Sequence, residues 1–173
     1  HDLSSVTMAL AKGVLSPILK ETVNFVNAVS LIKERGIQLR ESKSAQEGEF
    51  VNLIQLEIKT DKETKSVCGT LSSNKQPRIV KIDDYYLELY PIGEMVFIRN
   101  WDKPGLIGSL GTFMGKNKIN IAAMTFGRDK PGGKAISVLN VDSQAGVDIQ
   151  EEIKKLENIL NILLSENLRG ILT

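Results

Sequence analysis

One cysteine and one histidine in 173 residues leave little of the chemistry on which most enzymes and metal proteins draw. A lone Cys68 excludes an internal disulfide and any multi-cysteine metal or cluster site. A reducing, cytoplasmic setting is then the simplest expectation, with Cys68 a small buried apolar residue. The histidine is His1, the first residue, which removes a histidine general base, a histidine triad and a multi-histidine metal site. An excess of one charge is also missing, with 22 Lys and Arg against 21 Asp and Glu. Without such a field, neither nucleic acid nor an anionic membrane is an expected partner. No apolar run approaches the roughly 20 residues of a spanning helix. There is no signal peptide and no initial Met, so a piece of something longer is expected. What is present is an ordinary globular composition, 42% hydrophobic and 25% charged, at a length that suits two small domains.

The texture changes along the chain. Residues 3 to 35 read as helical from Leu3, Val6, Leu10, Val14, Ile18, Val23 and Val26, interrupted at Pro17 and stopped at Gly36. From residue 37 the pattern is that of up to four strands, "VNLIQLEIKT", "TKSVCGTLSS", "PRIVKID" and "YYLELYP", joined by polar turns. Pro91 and Gly93 in "YPIGEM" mark the boundary, giving domains 1–92 and 93–173. Beyond it come a strand "EMVFIRN", a helix over 104–117, strands "INIAAMTFGR" and "KAISVLNVDS", a helix "DIQEEIKKLENI" and a strand "LNILLSEN". That order, βαββαβ, is the ferredoxin-like split βαβ, and the fold class is α+β.

The tetrapeptide "DKPG" occurs at 102 to 105 and again at 129 to 132. After the first copy, Leu106, Ile107, Leu110, Phe113 and Met114 come at helical spacing, so it marks a helix N-terminus with Pro104 in the first turn. Such an end offers free amides and a positive dipole, and Gly105 leaves the backbone open to a small carboxylate. Asn100 and Asp102 leave the strand at that end. Amides taking a carboxylate while Asp102 takes an ammonium would suit a zwitterion; Asp102 acting simply as helix cap is the plainer alternative. The second copy precedes a strand and reads as a hairpin tip, with Arg128, Lys130 and Lys134 solvated.

Other chemistry is sparse. "GLIGSLG" places glycines three apart at 105, 108 and 111, which is not the dinucleotide fingerprint and suits close packing of a helix instead. No Walker motif is present. Glu151 and Glu152 fall on a charged helix face, and no catalytic or metal-ligating group stands out.

"RNWDKPGLIGSLGTFMGKNKINIAAM" resembles the ligand-binding segment of an ACT domain, in particular the one ending D-3-phosphoglycerate dehydrogenases of the long type. "KETVNFVNAVSLIKERGI" leading to "GTLSSNKQPRIVKIDDYYLELYP" is similar to the intervening, or allosteric substrate binding, domain of the same enzymes. The resemblance covers essentially the whole chain. It implies an N-terminal α/β regulatory domain followed by the ferredoxin-like ACT domain, from an enzyme that oxidises 3-phosphoglycerate with NAD and is inhibited by L-serine. NAD and the substrate would belong to domains preceding His1, leaving this part without catalysis or cofactor. The implied serine contacts are Asn100, Asp102, the amides near Gly105 and Leu106, and Asn120 from a partner chain, in a homo-oligomer at least dimeric through its ACT half. An anion site in the intervening domain would fall on Arg78, Tyr86, Tyr90 and Asn140, where only Arg78 keeps a charge; Lys81 is a substitute. Two other readings stand beside it: the regulatory portion of an iron–sulfur L-serine dehydratase, and a free-standing amino-acid sensor.

Overall fold

The computed structural model describes residues 4–19, 22–43, 50, 52–143 and 145–164. The described residues fall into two compact units, one within 4–43 and the other within 50–164.

The first unit holds α1 (Ser4–Leu15) and α2 (Ala28–Glu34). Helix α1 ends two residues before Pro17, as expected from the clash of a proline ring with helical backbone before it. Helix α2 ends as the sequence suggests: Gly36 has φ +70, and its N–H and that of Ile37 donate back to Lys33 O and Ile32 O in a Schellman motif. Ala11, Leu15, Val23, Ala28, Leu31 and Ile32 form the small core between them.

The second unit contains two four-stranded antiparallel sheets. The first is a meander of β1 (Leu53–Lys59), β2 (Thr64–Leu71), β3 (Pro77–Ile82) and β4 (Tyr85–Leu89), and buries Cys68 in β2 as a free thiol. The second contains β5 (Glu94–Trp101), β6 (Ile121–Arg128), β7 (Lys134–Val141) and β8 (Ile159–Leu164) in the order β6-β7-β5-β8. With α3 (Leu106–Lys116) and α4 (Val147–Ile153) between its strands, this is the ferredoxin-like βαββαβ arrangement. Helix α4 is shorter than the sequence suggests. The chain must reverse before β8, and Asn158 takes φ +68 to do so.

Each face of the second sheet has a partner. Val96, Ile98, Leu139 and Val141 share a core with Leu106, Leu110 and Met114 of α3 and Ile153 of α4. Ile136 and Val138 of β7 pack instead on Tyr85, Leu87 and Leu89 of β4. Strand β7 is therefore buried on both faces along almost its whole length, which explains its nearly continuous apolar run. The segment between the sheets is tied down: Asn140 Nδ2 donates to Tyr90 O (3.2 Å) and Ile92 O (2.9 Å), and Arg99 of β5 pairs with Asp83 in the β3–β4 turn. Among the described residues no helix is long and apolar enough to cross a membrane.

Candidate functional site

The two DKPG copies make the same turn. Leu106 N reaches Lys103 O at 3.4 Å, Gly133 N reaches Lys130 O at 3.0 Å, and the glycines at the third turn position have φ +89 (Gly105) and +72 (Gly132). Proline followed by a positive-φ glycine is the signature of a type II turn. The elements that the turns lead into differ as expected, with α3 after the first copy and β7 after the second. Because Gly105 is left-handed, α3 begins at Leu106, and Pro104 lies in the turn, not in the first helical turn.

The copies also meet. Asp102 Oδ2 accepts from Gly132 N (3.1 Å) and from Arg128 Nη1 (2.9 Å), while Asp102 N donates to Gly133 O (2.8 Å). Asp102 is thus not the cap of α3; Gly105 is, with no side-chain cap. Arg128 is exposed, as expected, and is also ion-paired. The hydrogen bond from Arg128, then that from the Gly132 amide, holds the Asp102 carboxyl below its ordinary value of 3.8.

A cavity of 490 Å³ opens between this ion pair and the start of α3, lined by Asp102, Gly105, Ile107, Gly108, Arg128 and Gly132 among others. The amides of Ile107 and Gly108 have no backbone acceptor among the described residues, as the first turn of a helix requires. The cavity therefore presents one carboxylate, the Arg128 guanidinium, the Lys103 side chain and free helix amides to whatever enters.

The other expected contacts are placed differently. Leu106 is buried, and its amide turns back to Lys103 O. Asn100 is 0% exposed, accepts from Ser137 Oγ (2.9 Å) and donates to Trp101 O (3.0 Å), so it braces the end of β5 and is not among the residues that line the cavity. Asn120 is exposed and hydrogen-bonded to Asp142 at the start of β6, whereas Arg128 is at its end. Eight residues of strand, about 26 Å, separate the two. Gly108 and Gly111 have nothing within 4 Å of a built Cβ, so the α3 glycines leave an open face where close packing was expected.

Arg78, the charged member of the anion site that the resemblance implies, is 6% exposed. Its guanidinium lies 3.1 Å from the Tyr90 ring centre and its Nε 3.7 Å from Glu88 Oε1, without a hydrogen bond to that nitrogen. Arg78 lines a second cavity of 370 Å³ with Thr70, Ser72, Tyr86 and Glu88; Lys81 lies over the Tyr86 ring and is not part of that lining.

Residues 1–83 match the D-3-phosphoglycerate dehydrogenase intervening domain family, and residues 95–158 match the ACT domain family. The chain is 37% identical over 163 residues to D-3-phosphoglycerate dehydrogenase of Bacillus subtilis, covering 94% of this chain and 31% of that protein. It is 39% identical over 158 residues to the Archaeoglobus fulgidus enzyme of the same name, covering 90% and 30%. With the Mycobacterium tuberculosis enzyme it shares 26% over 155 residues, covering 88% and 29%. The chain thus spans under a third of the length of these curated relatives.

Proposed function

Since the chain belongs to the D-3-phosphoglycerate dehydrogenase family, as the regulatory part made of an intervening domain and an ACT domain, we propose that it is the feedback sensor of a serine-making enzyme. L-Serine is the effector, bound at the cavity between the start of α3 and the Asp102–Arg128 pair. The parent enzyme is cytoplasmic and oxidises 3-phosphoglycerate with NAD in domains outside this chain. NAD is assigned to those domains because the glycines at 105, 108 and 111, three apart, do not have the spacing of the dinucleotide fingerprint.

The observation that carries this reading is the pairing of free amides at Ile107 and Gly108 with the Asp102 carboxylate across one small cavity. A zwitterion needs an acceptor for its ammonium and donors for its carboxylate, and both stand within a space of a few hundred Å³. Asn120 enters from a second copy. Strand β6 is an edge of its sheet, so two copies can join antiparallel through it. A two-fold axis through the middle of β6 sets the partner's start, with Asn120, beside this chain's end, with Arg128. Coupling to a distant active site comes from linkage: serine must prefer one arrangement of subunits, and the coupling cannot exceed that preference.

The intervening-domain anion site is the weaker element of the proposal. Arg78 supplies one buried cation with a nitrogen to spare, but Glu88 faces it and Lys81 lies apart, so a dianionic phosphate meets little net charge. Nothing in the cavities favours the serine dehydratase or free-standing sensor readings, and the relatives from Bacillus, Archaeoglobus and Mycobacterium are all named as dehydrogenases.

Isothermal titration with L-serine, and with glycine, D-serine and 3-phosphoglycerate for comparison, tests the proposal. Saturable, L-selective binding at about one site per chain is expected. No heat with L-serine from folded, dimeric protein would remove serine as the effector.

A further inference from the structure

Arg128 is held in the cavity by a bond that uses little of it. A guanidinium carries five N–H donors in a planar fork. Only one of them is engaged among the described residues, by Asp102 Oδ2, and the side chain remains half exposed and lines the cavity. Asp102 is engaged in a complementary way: Oδ2 accepts both of its bonds, from Arg128 and Gly132, and Oδ1 accepts none from the described residues. The ion pair thus engages one side of each group, and both residues line the same cavity as Ile107 and Gly108.

Resting on the proposal that this cavity takes an amino-acid effector, we infer that Arg128 binds the effector's α-carboxylate while Asp102 Oδ1 binds its ammonium, so that the ligand lies head to tail along the Asp102–Arg128 pair. Two opposed dipoles side by side satisfy four charges at once, and neither protein group has to give up its existing partner. The α3 amides then supplement the guanidinium at the carboxylate. This arrangement makes the site selective for α-amino acids over amines or acids, because either alone leaves one member of the pair without a counter-charge in the ligand. It also gives the second DKPG hairpin a task in binding, since Arg128 and Gly132 flank its tip.

The opposite role is a latch: Arg128 would compete with the ligand's ammonium for Asp102, and removing it would tighten binding. The two roles predict shifts of opposite sign. The test tracks amide shifts of Gly108 and Gly132 by NMR, which report affinities into the millimolar range, as the chain is titrated with L-serine, ethanolamine (no carboxylate) and 3-hydroxypropionate (no ammonium). Arg128→Ala is expected to weaken L-serine about ten- to a hundredfold, the span of one lost charge-assisted hydrogen bond, and to leave ethanolamine within about twofold. Arg128→Lys keeps the charge without the fork and should recover only part of the loss. Unchanged or tighter L-serine binding in Arg128→Ala would overturn the inference and leave the effector reading standing. A wild-type chain that binds no small amino acid would instead overturn the effector reading and the inference with it.

Discussion

Replacing Gly127 by alanine should push the two sheets of the second unit apart. A Cβ at this position falls 2.8 Å from Tyr86 O, 3.3 Å from Tyr85 Cβ and 3.4 Å from Ile136 Cγ2. The nearest of these is main chain in β4 and cannot rotate away, and relief requires movement of the strand that carries Leu87 and Leu89 into the shared core. Overpacking of this kind costs about 1–3 kcal/mol. For a chain of this size each kcal/mol lowers the midpoint by about 2–4 °C, so the expected loss is about 2–12 °C. Gly111→Ala is the matched control. It sits in α3 with nothing within 4 Å of the new methyl, and removing a mid-helix glycine should stabilise by up to about 1 kcal/mol. Thermal melts by circular dichroism, with amide exchange in β4 and β6 to locate the change, measure both. A Gly127→Ala melt at or above the wild-type midpoint would refute the seating of β4 against β6.

Three further outcomes are expected from named contacts. The folded Asp102 value lies below 3.8, so the stabilisation from its bonds is complete above that pH and disappears as pH falls through the lowered value. The Gly132 amide should accordingly titrate with a midpoint below 3.8 and lose that titration in Asp102→Asn; a midpoint at or above 3.8 would contradict the contact. Asn140→Ala removes two donors to the segment between the sheets but also an oxygen buried without a partner, for a net cost of about 1–2 kcal/mol in urea unfolding. Asn140→Asp, which sets a carboxylate against two carbonyls, should cost more than alanine. Ser137→Ala strips Asn100 Oδ1 of its donor in a fully buried place and should cost about 1–3 kcal/mol by the same assay.

Much of the second unit is legible in periodicity, because its strands and helices each carry an apolar pattern that the core demands. The element order from Glu94 to Leu164 is of this kind, and in the first unit a glycine marks the helix stop at Gly36. Local pattern does not show which distant groups meet. Arg128 is 26 residues from Asp102, and only the β5–β7–β6 ladder brings them together, so the sequence alone suggests a solvated arginine. Arg78 is concealed similarly: it falls on the same face of β3 as buried Val80 and lies against the ring of Tyr90, a contact that local pattern does not show. The turn at Lys103–Leu106 is hidden for a different reason, since proline is equally at home in a type II turn and in a first helical turn.

The claim that the effector site is built from two chains is tested most directly by complementation. Asp102→Ala and Asn120→Ala are prepared separately, each expected to bind L-serine poorly, and then mixed and allowed to exchange subunits. In a mixed dimer one site carries both lesions and the other carries neither. Random exchange makes about half the dimers mixed, so about a quarter of the wild-type binding sites should return at near wild-type affinity. No recovered sites after verified exchange, or full binding by Asn120→Ala alone, would contradict a site shared between chains.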